Sequence, residues 1–227
     1  MSSGGIADAF LFLRNLSVFP CFNGKRKTDY CDPETPMRLL VIADIEDLRW
    51  KHGVGEADFL LSCGDVPDHV ILEAAEAFKC HTIFAVKGNH DSANPFPEPI
   101  VDLHRFSNKC LGVTFGGLNG AWKYKPRGHF LYDQSEVEGY MEIFPGTDIF
   151  ISHNSPRGIH DRNDGIHTGF DGLTSYIARA KPKILIHGHN HVNKESTYGK
   201  TKVIGVHGWR LFNIQVPSGG FAGPHLQ

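Results

Sequence analysis

No two of the five cysteines form a CxxC pair, and their scatter (Cys21, Cys31, Cys63, Cys80, Cys110) suggests neither a disulfide framework nor a structural zinc site. Reduced thiols in a cytosol are then the default, which makes cytoplasmic the expected localisation. Cys63, beside Asp65, reads as a buried strand-end thiol or as an oxidant-sensitive group at the rim of a site. A large charge of one sign is also missing. Lys and Arg total 23 against 25 Asp and Glu, a net charge of −2, which argues against a general nucleic-acid or membrane-surface binder. No apolar run is long enough to span a bilayer; Ile6 to Leu13 is interrupted by Asp8 and stops at Arg14. No basic segment precedes that run and no small-residue cleavage pattern follows it, so a signal peptide is not expected. Internal repeats and low-complexity blocks are absent as well.

What remains is enzyme-sized. With 227 residues, 41% of them hydrophobic and 21% charged, the chain can bury the core of one large domain. Residues 1–36 differ from the rest and read as an N-terminal extension or linker. Ile6, Ala9, Phe10, Leu13 and Leu16 fit one face of a short helix, for docking elsewhere or for packing on its own domain. Lys25-Arg26-Lys27 and the segment Asp32 to Pro36 suit a linker. Residues 37–216 carry the domain pattern, and 217–227 form a tail.

Within the domain, Leu39–Ile42, Phe59–Leu61, Ile83–Val86, Ile149–Ile151 and Ile184–Ile186 read as strands covered on both faces. Val70–Phe78 and Leu173–Ala180 read as amphipathic helices, the second stopped by Pro182. Residues 111–132 suit antiparallel strands and hairpins, and Thr201–Val206 with Arg210–Gln215 suit a closing hairpin.

Just past each of the five buried strands lies a short polar segment: Asp44-Ile45-Glu46, Gly64-Asp65, Gly88-Asn89-His90-Asp91, Ser152-His153-Asn154 and Gly188-His189-Asn190-His191. In open α/β sheets, ligands collect outside the carboxyl ends of the strands. Asp44, Glu46, Asp65, Asn89, His153, His189 and His191 therefore converge as candidate metal ligands. Carboxylate oxygen with imidazole nitrogen and no thiolate suits Mn²⁺, Fe or Zn²⁺. So many ligands exceed the needs of one tetrahedral ion, so two divalent ions are the economical reading, with Asp65 on a central strand shared between them. Such a pair can hold a hydroxide and clamp both oxygens of an in-line phosphoryl transfer.

These segments, in this order, resemble the blocks of the calcineurin-like metallophosphoesterases: Asp-x-His, Gly-Asp, Gly-Asn-His-Asp, a lone His and Gly-His-x-His. The likeness covers about residues 38–215. It implies an α/β fold of four layers (αββα), two mixed sheets flanked by helices. Gly116 to Gly120 and Ser152 to Asp161 look like a small-phosphodiesterase branch of that family. The resemblance implies that Asp44, Asp65 and His191 hold the first metal and Asp65, Asn89, His153 and His189 the second. It also implies that His90 acts at the leaving group, with Asp91 orienting its ring.

The departure is Glu46, where the family has histidine. Glu46 either ligates the first ion or swings away and leaves it loosely held. If Asp44, Asp65 and Glu46 are all ionised, two divalent ions retain about one net positive charge, which favours Mn²⁺ and a monoanionic diester over a dianionic monoester. Arg157, His160 and His167 are candidate substrate contacts, with loop hydrogen bonding the equal alternative. Trp122, Tyr124 and Arg127 suit either a stacking wall or the core edge, and His187 suits the core. The expected function is a metal-dependent phosphodiesterase on small phosphoesters, using a hydroxide bridged by two ions. The rivals are a phosphomonoesterase on a small metabolite and a low-turnover metal-binding scaffold.

Overall fold

The computed structural model describes residues 36–45 and 55–215. The readings made for residues 1–35, for Glu46 and for the tail after Gln215 lie outside them. The elements run β1 (Met37–Ala43), β2 (Phe59–Ser62), α1 (Asp68–Ala77), β3 (Ile83–Ala85), β4 (Ile100–Asp102), β5 (Ser107–Cys110), β6 (Val113–Leu118), β7 (Ala121–Trp122) and β8 (Leu131–Tyr132). There follow α2 (Gln134–Ile143), β9 (Ile149–Ser152), α3 (Asp171–Ala180), β10 (Ile184–His187), β11 (Lys194–Tyr198), β12 (Thr201–Gly205) and β13 (Gly208–Ile214).

Alternation along the strands dictates the layers. Leu39, Val41 and Ala43 of β1 face inward, where they meet Phe59, Phe84, Phe115, Ile149, Ile151 and Ile186 in a core between two sheets. Leu40 and Ile42, on the opposite face of β1, pack with Val70, Ile71 and Ala74 of α1. The second sheet does the same with Phe150, Leu185 and Val203, which pack on Val137 and Met141 of α2 and Leu173, Tyr176 and Ile177 of α3. The result is helix, sheet, sheet, helix, the expected four-layer α/β arrangement. A slip of one residue in any central strand would exchange its two apolar faces. Each fully buried Phe or Leu contributes about 1.5–3 kcal/mol relative to exposure.

The first sheet has the order β13-β1-β2-β3-β4, parallel except for antiparallel β13. The second has the order β11-β12-β10-β9-β6-β5, with β12, β10, β9 and β6 parallel and antiparallel edges. Parallel central strands send their carboxyl ends the same way, and that is where the polar segments lie.

Three expectations need correction. The C-terminal strands do not close as a hairpin: β12 joins the second sheet between β10 and β11, and β13 crosses to pair with β1 in the first. β13 is thereby an edge strand of the first sheet, whereas β12 is interior to the second. In the middle region β6 is antiparallel to β5, which precedes the residues so read, but β7 and β8 pair in parallel. The sequence reading also omits α2, whose apolar stripe is thin, with only Val137 and Met141 buried. Its usable signal is Asp133-x-x-Glu136, where the Glu136 carboxylate accepts the Asp133 backbone N–H at 2.8 Å.

Cys63 and Cys80 are buried free thiols. Burial pushes Cys63 far up and Cys80 to about 12, which makes both inert rather than oxidant-sensitive. Cys110 is disulfide-bonded, a departure from the reduced state expected. No helix among the described residues is long and apolar enough to cross a membrane.

Candidate metal centre

Strand order sets the arrangement. In the first sheet β2 lies between β1 and β3, so Asp65 sits between the segments bearing Asp44 and Asn89. The second sheet brings His153 from the end of β9 and His189 and His191 from the end of neighbouring β10. Asp44 (φ 54°), Asp65 (φ 52°), His189 (φ 63°) and His191 (φ 52°) all adopt left-handed backbone conformations. Non-glycine residues held there cost on the order of 1–3 kcal/mol each, and such strain gathers at functional sites. Glycine is required alongside them. A Cβ on Gly64 (φ 88°) would stand 2.6 Å from the Gly88 nitrogen and 2.7 Å from His153 Nδ1, and one on Gly88 would collide with the Asp65 carboxylate.

Hydrogen bonds then orient the candidate ligand atoms. The fully buried His153 bonds through Nδ1 to the Cys63 carbonyl at 2.9 Å. A carbonyl only accepts, so Nδ1 carries the proton and Nε2 faces the cluster. Nε2 lies 3.3 Å from Asp65 Oδ2 and 3.1 Å from Asn89 Oδ1. The Asn89 amide is oriented by its N–H donation to the Tyr124 hydroxyl at 3.3 Å, which turns Oδ1 inward. His189 bonds through Nε2 to the Ile166 carbonyl at 3.3 Å, leaving Nδ1 as the lone-pair nitrogen, and its backbone N–H donates to Asp44 Oδ2 at 2.9 Å. The His153 and His189 rings are 4.9 Å apart.

Two groups of side chains offer ligand atoms within 4.8 Å of one another: Asp44, Asp65 and His153, and Asp44, His191 and His207. Three oxygen or nitrogen acceptors facing one another need a cation among them. Burial opposes a charge on His153, but Asp65 and Asp44 raise its pKa to about 9. Burial likewise pushes Asp65 up, yet His153 holds it down at about 2, whereas burial carries Asp44 to about 7. Burial and the charge of His153 keep His189 neutral, at about 3. A divalent ion would take the place of the His153 proton, so the donor set fits a metal of borderline or hard character.

The remaining expectations fall as follows. His90 is exposed at the mouth, its backbone N–H donating to Asp65 Oδ1 at 2.8 Å. Asp91 is expected to orient the His90 ring, but its carboxylate accepts the backbone N–H groups of Gly88 (2.7 Å), Asp65 (2.9 Å) and Val66 (3.1 Å). It thereby ties the two ligand loops together. His167 is held by Asp164 at 2.7 Å, with its ring 5.0 Å from that of His189. His160 spends both ring nitrogens, on buried His187 (2.9 Å) and on Ser196 Oγ (2.8 Å). Arg157 is half-exposed and pairs loosely with Asp161 at 3.8 Å. Trp122 packs against the core beside α2 and α3, while Arg127 is exposed. His207 is not among the sequence candidates, because a single histidine in the turn between β12 and β13 carries no local signature.

Comparison with known proteins bears on the family and the fold. The family model for calcineurin-like phosphoesterases matches residues 37–193. A comparison with curated proteins returns no match. Among solved structures, TT1561 of Thermus thermophilus superposes with a TM-score of 0.52 at 15% identity, covering 79% of this chain and 99% of that one. A candidate 5′-nucleotidase from Staphylococcus aureus, solved with alpha-ketoglutarate, gives a TM-score of 0.53 at 12% identity. It matches 77% of this chain, which spans only 49% of that longer protein. At such identities the likeness is one of fold.

Proposed function

The chain belongs to the calcineurin-like phosphoesterase family, a family of metal-dependent phosphoester hydrolases, and from that premise we propose that it cleaves small phosphodiesters at a centre of two divalent ions. The observation that carries this reading is the convergence of Asp44, Asp65 and His153, with Asn89 Oδ1 3.1 Å from His153 Nε2 and the His189 ring 4.9 Å from that of His153. Asp44, Asp65 and His191 would hold one ion, with Glu46 as a further candidate. Asp65, Asn89, His153 and His189 would hold the other. The central place of β2 in its sheet supports Asp65 as the shared ligand. When bound, such ions supply Lewis acidity toward the phosphoryl oxygens and lower the pKa of a water that attacks phosphorus in line. Manganese is favoured; Fe and Zn²⁺ suit the same donors.

The protein's own contribution is positioning and proton transfer. As water adds and the P–O bond to the leaving group breaks, the His90 ring donates a proton to the departing oxygen. The Asp65 carboxylate fixes the His90 backbone, and Asp91 fixes the two loops, so that ring and ligands keep one geometry. The diester preference follows from charge: a third carboxylate at Glu46 would lessen the pull on a dianion more than on a monoanion. Small substrates suit a chain of net charge −2.

The test is Mn²⁺-dependent turnover of bis-p-nitrophenyl phosphate against p-nitrophenyl phosphate. Faster diester cleavage is expected. Faster monoester cleavage would move the assignment to a phosphomonoesterase, and no turnover of either despite bound metal would favour a metal-binding scaffold.

A further inference from the structure

His207 lies outside every block of the sequence pattern, in the turn joining β12 to β13, yet it reaches the metal centre. Its ring stacks on that of His191 with centroids 4.7 Å apart and planes inclined by 29°. Asp44, His191 and His207 each offer a ligand atom, and these atoms lie within 4.8 Å of one another. His191 Nε2 is 3.7 Å from Asp44 Oδ1.

The turn bearing His207 is also fixed. The Asn193 side chain bonds the His207 backbone twice, with Oδ1 accepting the N–H at 3.1 Å and Nδ2 donating to the carbonyl at 3.1 Å. The Val206 N–H is tied to the His187 carbonyl at 2.9 Å, and Gly208 (φ 83°) supplies the left-handed turn that follows. Among the described residues, no hydrogen bond engages the His207 ring. An exposed loop would gain little from so firm a hold on one histidine, whereas a ligand needs it.

We propose that His207 is a ligand of the divalent ion held by Asp44 and His191. The block just after β1 carries Glu46 where the family pattern has histidine, so His207 would give this ion a second imidazole beside His191 and draw the site toward borderline divalent metals. Asn193 is then a positioning residue, acting through the His207 backbone. This inference rests on the reading of the centre as a two-ion site.

Mn²⁺ titration of the full chain by calorimetry, with metal counted by elemental analysis, tests it. The unaltered protein is expected to bind two ions. His207→Ala should keep one and bind the other at least ~100-fold more weakly, and Asn193→Ala should weaken the same ion ~10-fold, since outer partners of a metal site are worth about 10–100-fold in affinity. His207→Cys loaded with Co²⁺ should gain a thiolate-to-cobalt charge-transfer band that the unaltered protein lacks. Unchanged affinities for both ions in His207→Ala, with no new band in His207→Cys, would overturn the role of His207 and leave the two-ion centre standing. Failure of the unaltered protein to bind Mn²⁺ or Co²⁺ would overturn the centre itself, and this inference with it.

Discussion

Asp65→Ala is expected to lose both metal ions and to lower turnover by on the order of 10³-fold or more, the largest effect of any single substitution in the centre. The carboxylate joins two partners and stands at the centre of the site. Oδ2 faces His153 Nε2 at 3.3 Å, Oδ1 accepts the His90 backbone N–H at 2.8 Å, and its strand places it between the segments of Asp44 and Asn89. Removing it also leaves the buried His153 Nε2 without its carboxylate neighbour. Asp65→Asn separates charge from shape. The amide can still accept from His90, so the loop should hold while metal affinity falls. Elemental analysis of the dialysed variants, beside circular dichroism, checks both. A folded Asp65→Ala that retained two ions would deny Asp65 the shared position.

His90→Ala should do the opposite: leave metal content unchanged and lower kcat by about 10²–10⁴-fold. The ring is exposed at the mouth, and the tie holding the residue to the centre is its backbone, so truncation disturbs no ligand. The loss should grow as the leaving group becomes more basic, because an alkoxide needs a proton more than p-nitrophenolate does. A series of diesters of graded leaving groups measures this directly. An effect equal across the series would mean that His90 positions the substrate and does not protonate it.

Much of this candidate site is legible from sequence because its polar residues follow buried strands. Apolar runs such as Leu39–Ile42 and Ile184–Ile186 announce parallel strands, and polar residues at their carboxyl ends must gather at one edge whatever the loops do. The four layers follow from alternation that places Leu40 and Phe150 on helix-covered faces and Val41 and Ile151 between the sheets.

The failures have physical causes too. Pairing partners of β12 and β13 depend on which sheet edge stands open, a property of the assembled sandwich that no local pattern encodes. The part played by Asp91 is hidden because three backbone N–H groups from two loops converge on it, and backbone donors leave no trace in residue identity. Tyr124 reads as a stacking-wall or core-edge residue until the fold brings its hydroxyl to Asn89, thirty-five positions away. His207 is silent for the same reason: its nearness to His191 comes from a turn between sheets.

The most direct measurement is anomalous diffraction from crystals of the protein grown with Mn²⁺. Two peaks about 3.5–4 Å apart, flanking the Asp65 carboxylate, are expected of a centre that hydrolyses phosphoesters with paired ions. A single peak, or peaks remote from Asp65, would contradict it.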